Sequence, residues 1–89
     1  SMSFAEATVY PGDITEYHFH KKSDEIYFIT AGQGILEIEG KKAKMKEGDC
    51  ILIPHGKKHR IKTVGKKSLK ILCPSSPPFS YKDTKILKN

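Results

Sequence analysis

Two stretches decide how this chain reads: GDITEYHFHKKSDEIYFITAG, from Gly12 to Gly32, and GDCILIPHGKKH, from Gly48 to His59. His18 and His20 are one residue apart. On an extended strand both imidazoles therefore point to one face, while Tyr17 and Phe19 point to the other. Glu25 opens the next segment after a Lys22-Ser23-Asp24 turn, which can bring it back beside the histidines. If residues 25–29 are extended, Tyr27 and Ile29 share the face of Glu25. His59 follows the Pro54-His55-Gly56 turn and so also stands at a strand end, with Ile61 and Thr63 on its side. Three imidazoles and a carboxylate form a donor set for one divalent transition metal and leave two positions of an octahedral shell open. That mix suits Fe, Mn, Co, Ni or Cu, and less decisively Zn. An open shell suits catalysis, because a closed one only braces a fold. His55, inside its turn, reads as a surface or hydrogen-bonded residue and not as a ligand.

Outward from these stretches, the chain divides into short apolar or β-branched segments near 4–10, 14–20, 25–31, 34–39, 42–46, 50–54, 59–64 and 68–73. Turn signals such as Pro11-Gly12-Asp13, Glu39-Gly40, Glu47-Gly48-Asp49 and Val64-Gly65 separate them. No stretch keeps a helical period, so the expectation is all-β: an antiparallel sandwich or small barrel. Cys50-Ile51-Leu52-Ile53 is continuously apolar and reads as a strand covered on both faces. Ile35-Leu36-Glu37-Ile38-Glu39 alternates, so one of its faces meets water. Pro74-Ser75-Ser76-Pro77-Pro78 ends the regular sheet. Residues 79–89, with Phe79 and Tyr81, form a tail that packs along the barrel or reaches a neighbouring subunit.

The 89 residues are enough for one domain, taken as 3–89, with 74–89 its proline-rich tail. Ser1-Met2 reads as a protease-cleavage scar followed by a start methionine. No apolar run reaches the length of a membrane span and no signal-peptide pattern is seen, so a cytoplasmic protein without a membrane partner is expected. The formal net charge is +6, and of sixteen basic residues only Arg60 is an arginine. Nucleic-acid sites favour arginine and interleaved aromatics, so no nucleic-acid partner is expected. Lys42, Lys44 and Lys46 alternate with Ala43 and Met45, as one solvated strand face would. Lys21-Lys22 and Lys57-Lys58 flank the candidate ligands and could draw an anionic ligand. Cys50 and Cys73 lie outside any Cys-x-x-Cys pattern and read as reduced thiols in or near the core.

The two motifs resemble those of the cupin superfamily, G-x5-H-x-H-x3-4-E-x6-G and G-x5-P-x-G-x2-H-x3-N. Gly12, His18, His20, Glu25 and Gly32 match the first; Gly48, Pro54, Gly56 and His59 match the second. Thr63 stands where the pattern ends in Asn, outside the ligand set. The spacer between the motifs runs from Gln33 to Glu47, as in short microbial members. The resemblance implies a small β-barrel, or double-stranded antiparallel jelly roll, with His18, His20, Glu25 and His59 holding the metal inside. It also implies a range of activities, which the fold alone does not narrow.

Within that range, the first expectation is a metal-dependent isomerase or lyase acting on a small polar or anionic ligand such as a sugar, sugar phosphate or carboxylic acid. Tyr27, on the face of Glu25, is the candidate general base. The alternatives are a non-haem metal dioxygenase and a non-catalytic small-ligand-binding or sensing module. Unpaired strand edges and the apolar tail residues point to a homodimer.

Overall fold

A computed structural model describes residues 3–76 and 84–86, with side chains from 5 to 74. The described residues form nine strands: β1 Ser3–Val9, β2 His18–His20, β3 Asp24–Ala31, β4 Gln33–Ile38, β5 Lys41–Lys46, β6 Cys50–Ile53, β7 His59–Val64, β8 Leu69–Ser76 and β9 Thr84–Ile86. They form two antiparallel sheets, ordered β1-β8-β3-β6 and β5-β4-β7-β2-β9. The described residues contain no helix, and so none long and apolar enough to cross a membrane.

Alternation explains the core. Leu69, Ile71 and Cys73 of β8, Tyr27 and Ile29 of β3, Ile53 of β6 and Val9 of β1 are all buried on the inner side of the first sheet. Leu36 of β4, Met45 of β5 and Ile61 of β7 face them from the second. Each sheet is half of one dry layer, so the two are held face to face by apolar burial and not by a shared hydrogen-bond ladder.

The turns follow their sequence signals. The β4–β5 hairpin closes through Glu39 and Gly40, both at positive φ (49° and 81°), the twist a two-residue hairpin needs. A non-glycine residue is costly there, and Glu39 is held by two bonds to one partner. Its carboxylate accepts the Lys58 N–H at 2.6 Å, and its own N–H donates to the Lys58 carbonyl at 2.8 Å. Gly32 is fixed differently. Its φ is +80°, and a Cβ would collide with the Ser68 carbonyl and meet Leu69 Cα at 3.0 Å. Thr63, where the motif pattern has Asn, donates its buried hydroxyl to the Val9 carbonyl at 2.6 Å and so ties β7 to the end of β1.

Four expectations change. The 14–20 segment contributes only the three-residue β2; before it, Ile14 makes an isolated bridge to Lys62 and remains 53% exposed. The Cys50–Ile53 run is not covered on both faces: β6 is a sheet edge, its inner side buries Ile53, and Leu52 is 57% exposed. Cys50 is therefore exposed, while Cys73 is in the core. Pro74 does not end the sheet. It pairs with Phe4, β8 continues to Ser76, and β9 later returns to pair with β2. Pro lacks a ladder donor, but β8 carries it where the strand is running out. Phe79 and Tyr81 lie outside the described residues.

Candidate metal centre

The four candidate ligands come from three strands and both sheets. His18 and His59 are direct cross-strand partners on β2 and β7, so their side chains stand side by side on the inner face, with ring centroids 4.3 Å apart. His20, two residues along, joins them with its ring 5.2 Å from His18 and 5.8 Å from His59. Glu25 reaches across from β3 in the opposite sheet. Its Oε1 lies 2.7 Å from His20 Nε2 and 3.3 Å from His59 Nε2. His20, Glu25 and His59 are buried and His18 is half-buried, so the cluster opens on the side of His18.

One donor atom from each of these residues lies within 4.8 Å of all the others. Around an ion bound at about 2.1 Å, neighbouring ligand atoms are about 3 Å apart and opposed ones about 4 Å. The cluster therefore has the span of a single coordination shell. Two imidazoles are also oriented for it. His18 Nδ1 lies 2.7 Å from the Glu16 carbonyl and His59 Nδ1 2.9 Å from the Lys57 carbonyl. A carbonyl only accepts, so each Nδ1 carries a proton turned to that carbonyl and each Nε2 is left facing the interior. Glu25 Oε1 and His59 Nε2 are sealed from water, and their 3.3 Å approach lacks hydrogen-bond geometry. Atoms arranged this way suit a cation between them better than each other. The residues present thus fit a divalent metal.

The electrostatics agree. Burial alone would push the Glu25 carboxyl up, but the imidazoles of His20 and His59 outweigh it and hold it at about 2. The carboxylate is therefore charged at neutral pH. Burial holds His18 below the usual 6.5, which keeps its nitrogen available.

Tyr27 sits where alternation puts it, 5% exposed, its ring 5.7 Å from that of His59 and edge-on to it. The base role expected for it meets an obstacle. Burial and then the Glu25 charge raise its phenol well above the usual value, so in the metal-free protein it keeps its proton. Cys73 is a neighbour that alternation along β8 left unremarked; burial and the Glu25 carboxylate push its thiol up to about 12. Lys21, Lys22, Lys57 and Lys58 are all exposed around the cluster. His55 also sits beside it: its backbone N–H donates to Asp24 Oδ1 at 2.8 Å, and its Nδ1 lies 2.8 Å from the same oxygen. A lone histidine in a turn carries no sequence signal for that pairing, because its partner is 31 residues away.

Comparison with known proteins agrees with this geometry. Residues 5–74 match the family described as Cupin domain. An uncharacterised protein of Methanocaldococcus jannaschii is 45% identical over 87 residues, covering 98% of this chain and 70% of that protein. The oxalate-binding protein of Thermotoga maritima is 33% identical over 69 residues, 78% of this chain and 57% of its own length. Among solved structures, a protein of Acidithiobacillus ferrooxidans provisionally named a sugar phosphate isomerase superposes with a TM-score of 0.75 at 29% identity. That match covers 83% of this chain and 49% of that one. The chain thus spans little more than half the length of the Thermotoga relative and about half of the Acidithiobacillus protein.

Proposed function

Starting from the fact that this chain belongs to the cupin family, we propose that it is a metal-dependent enzyme acting on a small anionic or polar oxygen ligand. His18, His20, Glu25 and His59 would hold one divalent transition metal. The observation that carries this reading is the convergence of four donor atoms within 4.8 Å, two of them on imidazoles whose Nδ1–H is already committed to a backbone carbonyl. Three neutral imidazoles and one carboxylate leave a divalent site with net positive charge, which favours an anionic ligand such as a carboxylate, or a sugar phosphate. The names of the Thermotoga and Acidithiobacillus proteins, oxalate-binding and sugar phosphate isomerase, point to the same ligand chemistry.

Bound there, the metal would supply Lewis-acid polarisation of a ligand oxygen. The chain's own residues do the rest. Glu16 and Lys57 carbonyls orient His18 and His59. Tyr27, Ile29 and Ile61 wall the interior with buried surface and exclude water. Tyr27 remains the candidate proton-transfer residue. As a base it would need a cation to offset the neighbouring Glu25 charge; with its proton retained it donates a hydrogen bond.

A second reading, ligand binding without turnover, is favoured by one observation: the nearest candidate base is a phenol that holds its proton. The dioxygenase reading uses the same ligand set and separates from both by oxygen uptake. The deciding experiment is metal analysis of protein purified without a nickel column, then a screen of oxalate, other small carboxylates and sugar phosphates with that metal. Turnover supports the enzyme reading, and saturable binding without turnover supports the module. Protein that retains no metal under any condition would remove the basis of both.

For assembly we propose a homodimer whose contact runs along β6. The β5 edge carries Lys41, Lys42, Lys44 and Lys46, which guard it, whereas β6 has no charge and leaves Leu52 57% exposed beside a 37% exposed Phe28. On a chain with a formal net charge of +6, an uncharged edge is where a second copy meets least repulsion. Leu52→Lys should convert dimer to monomer in light scattering at micromolar concentration; a wild-type monomer would overturn the proposal.

A further inference from the structure

The quartet has a mechanical weakness. Its histidines stand on one sheet and Glu25 on the other, and among the described residues no ladder of hydrogen bonds runs between the sheets to set their separation. β2 is three residues long, and its register with β7 rests on the single pair His18–His59. What spans the gap at this mouth is two turns. One, residues 21–23, crosses from β2 to β3; the other, residues 54–58, crosses from β6 to β7.

We propose that Asp24 and His55 form a positioning clamp that locks these two crossings together and sets the spacing of the metal ligands. Asp24 Oδ1 accepts the His55 backbone N–H at 2.8 Å and meets His55 Nδ1 at 2.8 Å, so one oxygen grips both the turn and its side chain. Asp24 shares a peptide bond with Glu25, and His55 leads directly into the segment that delivers His59. The same turn donates the Gly56 N–H to the His20 carbonyl at 2.6 Å. One turn is therefore tied to the strand end bearing His20 and to the strand start bearing Glu25. His55 and Asp24 are largely exposed, 60% and 49% by side chain. Exposed ion pairs add little to global stability, but ligand sets lose affinity when their supporting contacts let them drift by about half an ångström. The clamp therefore acts on the site more than on the fold.

The clamp rests on the metal-binding reading above, and one experiment separates the two. Metal-free wild type, Asp24→Ala, Asp24→Asn, His55→Ala and the Asp24→Ala/His55→Ala double variant are titrated with Co2+. Affinity is read by chelator competition and ligand geometry from the visible spectrum. Loss of a supporting contact outside the ligand set costs about 10-fold or more in metal affinity. Asp24→Ala should weaken Co2+ by about that factor and alter the spectrum, His55→Ala should weaken it less, and the double variant should be no worse than Asp24→Ala. Asp24→Asn keeps an oxygen for both donors and should restore affinity to within about threefold of wild type. Denaturant midpoints of the metal-free forms should stay together. If wild type binds no Co2+, the metal reading itself falls. If wild type binds and Asp24→Ala binds equally well, the clamp alone falls; it also falls if the midpoints drop in step with affinity and Asn does not rescue.

Discussion

Replacing His18 with Ala tests the metal centre with the least damage to the fold. His20 and His59 are 2% and 1% exposed, so truncating either opens a hole in the interior; His18 is only half-buried. In the metal-free protein the substitution removes one hydrogen bond, from Nδ1 to the Glu16 carbonyl at 2.7 Å, and a ring contact with His59 at 4.3 Å. The bond is worth about 1 kcal/mol, and for a domain this small 1 kcal/mol lowers the melting temperature by about 4–8 °C. The metal-bound protein loses far more. Removing a supporting contact behind a ligand costs 10–100-fold in affinity, so removing the ligand itself costs at least about 100-fold. At a metal concentration about 1,000 times the wild-type Kd, binding stabilises wild type by about 4.1 kcal/mol. The variant, then at about 10 times its own Kd, gains only about 1.4 kcal/mol. Metal should therefore raise the wild-type melting temperature by about 15–30 °C and that of His18→Ala by about 5–10 °C. Differential scanning fluorimetry with and without metal reads both. An equal metal-induced rise in the two proteins would refute the assignment of His18 as a ligand.

Three further outcomes follow from particular contacts. Gly32→Ala and Gly48→Ala share the cost of a positive φ, about 1–2 kcal/mol, but a Cβ on Gly48 meets open space whereas one on Gly32 strikes β8's approach at Ser68 and Leu69. Gly32→Ala should unfold at lower denaturant by a further 1–3 kcal/mol or so, and coincident midpoints would contradict the packing. Acidification should act in two steps on the metal-free protein. His18 has a folded pKa below 6.5, so the unfolded chain binds more protons and stability falls as pH drops through 6.5. Glu25, depressed from 4.5 to about 2, contributes stability above 4.5 that disappears as pH falls between those values. Metal competes with protons for the imidazoles, so the metal-induced rise in melting temperature should shrink with acidification before the Glu25 step begins; a pH-independent rise from 7 to 5 would be inconsistent with histidine ligands. Cys50 is exposed while Cys73 is buried with its thiol near 12, so a thiol reagent should label one cysteine quickly in native protein and both after unfolding. Two fast thiols in native protein would contradict the core placement of Cys73.

Much of the site was legible because a strand's side chains alternate. That rule puts His18 with His20, Glu25 with Tyr27 and Ile29, and His59 with Ile61 and Thr63, and each set shares an inner face as expected. What alternation leaves open is which strand lies beside or across from which. Cys50-Ile51-Leu52-Ile53 looks like a strand covered on both faces, yet Cys50 and Leu52 stand on the outer face of their sheet and are exposed. Tyr27 looks like a base from its neighbours in sequence, yet depth and the nearby carboxylate hold its proton on.

Which side chains share a face of each strand, the glycine and proline turns between strands, and the set of four donors can therefore be read from the residues alone. These are local properties, set by backbone sterics and the two-residue period. The folded arrangement adds that Glu25 comes from the sheet opposite the histidines, that Oε1 stands 2.7 and 3.3 Å from two imidazoles, and that His55 meets Asp24 across 31 residues. Those contacts depend on how two sheets stack and where turns cross between them. Stacking is driven by non-directional apolar burial over the whole inner face, and no short motif encodes it.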